Sequence, residues 1–301
     1  MSQTPLIIEV RGNEFADQHG NPHIPYGAEQ IVQDALACAQ NGSAMYHWHG
    51  RGHDGIDRPD DFQLHQQVVR GIRAASDMVL HPTLGFTSTQ GDAAGRTATV
   101  LKLMQDPRTS VDIVPVDFGA VVTDLWDDQR KEFRTGDQLL VNRTAYLEAL
   151  LTILQANSIR VMAVVWSPGA VRTALRCRER GLLDGPTFWQ LGFTGEAQPG
   201  GIPATERQLD AFLEWIPADE PWTIHVREGD GLPMAVAAAM RGGHVSIGLG
   251  DDPYDRLGRP SNPDLVQRIA DVAQTIGRDV ASVADARTIL NLPTPHSPAG
   301  F

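Results

Sequence analysis

Ala44-Met45-Tyr46-His47-Trp48-His49 is an apolar run that closes on a His-x-His pair. In an extended strand alternate side chains share a face, so His47 and His49 point one way and Trp48 points the other. Two imidazoles on one side are half of a zinc site, and they are also an ordinary polar end to a strand. The flanks decide how the strand is used. Segments of 3.6-residue periodicity lie on both sides, at Ala28–Gln40 before it and Asp61–Ala75 after it.

The same alternation runs along the chain. Strands are expected near Leu6–Val10, Ala44–His47, Met78–His81, Asp112–Val116, Arg160–Val165, Phe188–Leu191, Trp222–Val226 and His244–Ile247. The remaining helical patterns fall near Arg96–Met104, Ala145–Gln155, Ala170–Arg180, Glu206–Trp215, Leu232–Met240 and Pro263–Thr275. Asn41-Gly42 and Arg180-Gly181 suit helix ends, and Thr144 and Thr205 sit where N-caps belong. Eight strand-helix units in this length point to an α/β fold, a closed (β/α)8 TIM barrel. The expected organisation is a single barrel domain over 1–301 with a proline-containing C-terminal tail at 293–301. An open doubly wound sheet is the alternative, but Val10-Arg11-Gly12-Asn13-Glu14 is not the glycine-rich phosphate loop that such a sheet more often carries after its first strand.

Composition excludes several classes. The 301 residues are 42% hydrophobic and 21% charged, enough to bury a sizeable core. A net charge of -12 with no Lys/Arg run argues against a nucleic-acid partner. Only Cys38 and Cys177 are present, so no disulfide framework is indicated and a reducing compartment fits. Neither a signal peptide nor an apolar stretch of membrane-spanning length is visible, and a cytoplasmic location with no membrane partner is expected.

A barrel gathers its chemistry at the carboxyl ends of its strands. The candidates there are Glu14 after the first strand, His47 and His49 on the second, Thr83 after the third and Asp117 after the fourth. Glu228 follows the seventh strand, and Asp251 and Asp252 follow the eighth. His81 and His225 read as buried histidines, and Asp252-Pro253 as a turn start. Trp48, facing away from the histidines, reads as packing.

Several ordered motifs resemble one family along nearly the whole chain. They are Asn21-Pro22-His23-Ile24-Pro25, His47-Trp48-His49-Gly50-Arg51, Pro82-Thr83 with Gly85, Pro203-Ala204-Thr205 and Leu232-Pro233-Met234. The most specific is Gly242-Gly243-His244-Val245-Ser246-Ile247-Gly248-Leu249, followed by Asp251 and by Ala286-Arg287. The chain is similar here to the β-keto acid cleavage enzymes, typified by 3-keto-5-aminohexanoate cleavage enzyme. The resemblance implies a zinc-dependent barrel, usually a homotetramer. It also implies a retro-Claisen exchange in which a β-keto acid and acetyl-CoA become acetoacetate and a new acyl-CoA. His47 and His49 match the zinc histidines, Glu14 a substrate-contacting acid, Thr83 a hydroxyl position and Asp251 the base.

The chain also departs from the family pattern. Where the family reads Gly-His-Val-Arg-Val-Gly-x-Glu-Asp, this chain has Ser246 for the arginine and Gly250 for the third zinc ligand. The acid of the fifth strand is absent from Met162–Trp166, and the seventh strand ends in Arg227-Glu228. One reading is a decayed site, a barrel that binds a small molecule without catalysis. Another is a metal-dependent hydrolase, although Arg160–Val165 and Phe188–Leu191 lack the lysine and histidines such enzymes add. The favoured reading is a relocated site. Its metal ligands are His47, His49 and Glu228, Asp251 and Arg227 are catalytic, and Glu14, Thr83 and Ser246 contact substrate.

Overall fold

The computed structural model describes residues 4–14, 16–85 and 89–293. In chain order it begins β1 (Ile8–Arg11), α1 (Gly27–Gln40), β2 (Met45–Trp48), α2 (Phe62–Arg73), β3 (Val79–Pro82), α3 (Ala93–Leu103) and β4 (Ile113–Val122). An insertion follows, with β5 (Trp126–Asp127), β6 (Glu132–Phe133) and β7 (Leu139–Asn142) leading into α4 (Thr144–Ala156). Regular units resume with β8 (Arg160–Val165), α5 (Pro168–Glu179), β9 (Phe188–Thr194), α6 (Glu206–Leu213), β10 (Trp222–Arg227), α7 (Leu232–Met240) and β11 (His244–Ile247). The chain then forms α8 (Asn262–Thr275) and α9 (Val283–Ile289).

The main sheet runs β3-β2-β1-β11-β10-β9-β8-β4, all parallel, with β7 added antiparallel to β4. It curls until its edges meet and so forms the (β/α)8 barrel. At that junction Asp112 N donates to Leu80 O at 3.0 Å, and the Asp112 carboxylate accepts from Leu80 N at 2.7 Å. The same carboxylate holds Arg287 at 2.9 Å and also pairs with Arg73. A part-buried acid with its own cations therefore stitches the seam where no ladder is formed.

Strand alternation separates two environments. Ile7, Met45, Val79, Ile113, Met162 and Phe188 pack together as the apolar floor inside the barrel. Their neighbours Ile8, Tyr46, Leu80, Val114, Ala163 and Trp189 face the helices in the larger core. Above the floor the interior turns polar: fully buried Glu9 meets His81 Nδ1 at 2.9 Å and Gln190 Nε2 at 3.3 Å.

Trp48 lies on the helix side, wholly buried, its ring 6.4 Å from that of Tyr46 and 6.0 Å from that of His65. Trp48→Ala should cost about 3–5 kcal/mol of stability. Urea unfolding would show this, and a loss under 1 kcal/mol would contradict the packing role.

The eight barrel strands and their helices lie where the periodicity puts them. Thr205 caps α6 by accepting from Gln208 N. Thr144 does not cap α4, because Arg143 holds the N-cap position and Thr144 begins the helix. Cys38 and Cys177 are both buried free thiols. Of the tail, residues 294–301 lie outside the described residues, so the expectation placed on it has no structural counterpart here. Among the described residues no helix is long and apolar enough to cross a membrane.

Candidate metal centre

His47 follows Met45 on the inward face of β2, two positions above the apolar floor. Its Nδ1 lies 2.8 Å from His81 O. A carbonyl only accepts, so Nδ1 carries the proton and Nε2 keeps its lone pair. His49 repeats the device with a carboxylate, its Nδ1 standing 3.0 Å from Asp57 Oδ2. Burial first, then the charges of His81 and Arg11, hold the His47 pKa well below the usual imidazole value of 6.5. For Asp57, burial acts upward, but the hydrogen bond and charge of His49, aided by Arg51, leave the carboxyl below its ordinary value. Both rings are thus oriented through Nδ1, and burial holds His47 neutral, the form in which imidazole binds metal.

Glu14 joins them from the loop after β1. Its Oε1 is 3.5 Å from His47 Nε2, and one donor atom from each of Glu14, His47 and His49 lies within 4.8 Å of the others. Among the described residues this is the one grouping of three such side chains with that spacing. The loop is pinned from below. Asn13 Oδ1 accepts from His49 N at 2.9 Å, and the Arg51 guanidinium donates to Ala16 O at 2.9 Å and to Glu14 O.

Gly250 explains why Glu14 can sit there. A Cβ at that position would come 2.9 Å from Glu14 Cγ and 3.0 Å from Glu14 Cβ. The missing side chain at 250 is the space Glu14 occupies. Glu14 Oε1 is buried and accepts no hydrogen bond, although it lies against the Arg11 guanidinium. Two oriented imidazoles and a buried carboxylate fit a divalent ion with nitrogen and oxygen preference.

Beside this triad, Arg11 connects three elements. Its Nε donates to Asp251 Oδ1 at 3.1 Å, its Nη1 to Gln190 Oε1 at 3.0 Å, and its Nη2 pairs with Glu14. Asp251 is buried, and burial pushes its carboxyl above the ordinary range while Arg11 opposes the shift. Arg227 opens, with Arg11, Glu14, His47 and His49, on a cavity of ≈ 510 Å³ whose lining does not include Asp251, and its own pKa is drawn down by burial. The far wall holds Trp166, whose Nε1 donates to Asp117 at 2.9 Å and whose ring meets His225 edge-on at 4.9 Å. Gly192 lets the indole in, since a Cβ there would lie 2.7 Å from the ring. Leu139 and Leu140 of β7 complete the rim.

Not every expected residue reaches this place. Glu228 does not join the histidines. Strand alternation sends Arg227 into the cavity, and Glu228, at φ 55 with its N–H on Asp251 O at 2.8 Å, lines a separate depression with Glu196, Asp230 and Asp252. Ser246 lies deeper, in register with Glu9, its hydroxyl unpartnered among the described residues, and it does not line the cavity. Thr83 does line it, and its Oγ1 accepts from Gly85 N at 2.9 Å. His81 and His225 are buried, but neither ring nitrogen of His225 has a partner among the described residues. Asp252 behaves as a turn residue, accepting from Tyr254 N at 2.5 Å.

Arg11 and Asp57 were missed. For Arg11 a signal existed: Glu9 and Arg11 place two charges on one face of an otherwise apolar strand, which makes sense only toward a polar interior. Asp57, in the loop after β2, carried none.

Inward polar side chains at the carboxyl end of a closed parallel barrel define a barrel enzyme with its site at the strand ends. The model of the beta-keto acid cleavage enzyme family matches residues 5–292, and the chain belongs to that family. It is 26% identical over 294 residues to 3-keto-5-aminohexanoate cleavage enzyme of Acetoanaerobium sticklandii, covering 97% of this chain and 99% of that one. It is 27% identical to 3,5-dioxohexanoate:acetyl-CoA acetone transferase of Paraburkholderia graminis, with 90% of each chain covered. Among solved structures, the apo form of ObcA superposes with a TM-score of 0.71 at 14% identity, over 90% of this chain and 66% of that one. At that identity it speaks to the fold alone.

Proposed function

We propose that this protein is a zinc-dependent β-keto acid cleavage enzyme that exchanges a β-keto acid with acetyl-CoA to give acetoacetate and an acyl-CoA. The observation that carries the reading is the Glu14–His47–His49 cluster, its imidazoles oriented by His81 O and Asp57, opening on the cavity that Asp251 adjoins through Arg11. His47, His49 and Glu14 would hold the ion. When bound, it supplies positive charge for an oxygen that becomes negative as the carbon-carbon bond breaks.

The other tasks fall to the chain itself. Asp251 takes the proton from the carbon flanked by the ketone and the carboxylate, and burial makes its carboxylate a stronger base than a solvated one. Arg227 and Thr83 face the bound acid, and Trp166 and Leu140 cover it from water. In this role Glu14 serves the metal, so no cationic group is required on the substrate. A third ligand regained at Glu14 supports catalysis over a decayed binding barrel. The absence of histidine and lysine from β8 and β9 speaks against the hydrolase.

The test is direct. Purified protein loaded with zinc, acetyl-CoA and a panel of β-keto acids should form acetoacetate and a new acyl-CoA, and a chelator should stop both. Hydrolysis of a β-keto acid without CoA transfer, or no exchange across the panel with full metal loading, would overturn the reading.

A further inference from the structure

We propose that Arg11 is the positioning residue of this centre, a single guanidinium that orients the base Asp251 on one side and the metal ligand Glu14 on the other. The inference rests on the proposed roles of those two carboxylates. It concerns a residue on β1, whereas the family pattern places its arginine on β11, at the position of Ser246.

The geometry favours one shared arginine. Arg11 is 7% exposed and its side chain reaches Asp251, Gln190 and Glu14 with three different nitrogens. A planar fork fixed at three points cannot rotate, so it fixes the two carboxylates relative to each other. Gln190 is itself held, because its Nε2 donates to Glu9 Oε2 at 3.3 Å and Glu9 is bound to His81. The carbonyl of that same His81 orients His47. Base, ligand and metal-facing imidazole are therefore tied into one network whose centre is Arg11. Ser246, in register with Glu9 and buried, has a hydroxyl with no partner among the described residues and cannot reach so far.

A double-mutant cycle separates positioning from mere structure. Arg11→Ala, Asp251→Asn and the combined variant would be measured for kcat, KM and bound zinc by elemental analysis. Arg11→Ala should lower kcat by about 10–100-fold and weaken zinc binding about 10-fold, the scale for losing a residue that orients a ligand. With zinc saturating, so that the loss at Glu14 is made good, the combined variant is no slower than Asp251→Asn alone. Losses that multiply, or an Arg11→Ala enzyme with unchanged kcat and zinc affinity, would overturn the proposal. Should Arg11→Ala fail to fold, Arg11→Lys keeps the charge and the packing but cannot hold three partners at once. It should lose at least about 10-fold in kcat while circular dichroism stays native, and wild-type turnover there overturns the proposal equally. Full activity in Asp251→Asn by itself would reject the base assignment, a result in which Arg11 plays no part.

Discussion

His47→Ala combined with His49→Ala is expected to reduce bound metal from about one equivalent per chain to a trace, with the barrel still folded. Both imidazoles point into the cavity and neither belongs to the apolar floor or to the helix-side core, so their removal takes little packing with it. What remains, Glu14 beside Arg11, is one carboxylate already paired with a cation, and a dication held by it and by solvent dissociates readily. Elemental analysis with circular dichroism reads the outcome, and equal metal content in the double variant and the wild type would remove the central claim. The pH dependence follows from burial. Because the His47 pKa lies well below 6.5, the ring stays neutral and metal-competent as the pH falls through that value. The sign for the fold runs the other way: below 6.5 the unfolded chain takes a proton that buried His47 refuses, so acidification favours unfolding of the metal-free protein. Metal lost in step with an ordinary imidazole titration would contradict the burial assigned to His47.

Gly250→Ala should weaken metal binding by about 10–100-fold although it adds only a methyl group. The new Cβ would meet Glu14 Cγ at 2.9 Å and Glu14 Cβ at 3.0 Å, closer than carbon atoms approach, while Arg11 O, at 3.1 Å, leaves the backbone little room to retreat. Glu14 must swing out, and the third donor goes with it. Glu14→Ala should show a loss of the same size. Joining Glu14→Ala to Gly250→Glu vacates the space and returns a carboxylate from the loop after β11, and zinc affinity should recover by about 10-fold over Glu14→Ala alone. Calorimetric titration with zinc measures all three. Full affinity in Gly250→Ala, or no recovery in the pair, would show that Glu14 is not the ligand.

The barrel was legible because each of its eight strands is a short apolar run between helical patterns, and because His47 and His49 declare their face by spacing alone. The insertion between β4 and α4 was not, since β5 and β6 are two residues each and carry no period. Nor was the seam at Asp112, which depends on the distant Arg287. At the site, the loss of a charge from β11 and of another just after it could be read, but the charges that the structure brings beside the histidines come from the neighbour on the other side. A strand in a barrel has two neighbours. Arg227-Glu228 at the end of β10 stood out as a charged pair, whereas Arg11 and Glu14 at and after the end of β1 looked like a strand end and a loop acid. Only the register that sets Glu9 opposite Ser246, and the space over Gly250, distinguishes the two sides.

Arg11 and Asp251 are 240 residues apart in the sequence, yet they touch, because β1 lies beside β11 in the closed ring. A ring has no first or last member, so a charge can pass across the chain's two ends as easily as between adjacent segments. Arg227 already adds its charge to that of Arg11 at Asp251, so an arginine at 246 as well would crowd a third cation around one carboxylate. Within the family these positions should therefore vary as a coupled pair, an arginine at one with none at the other.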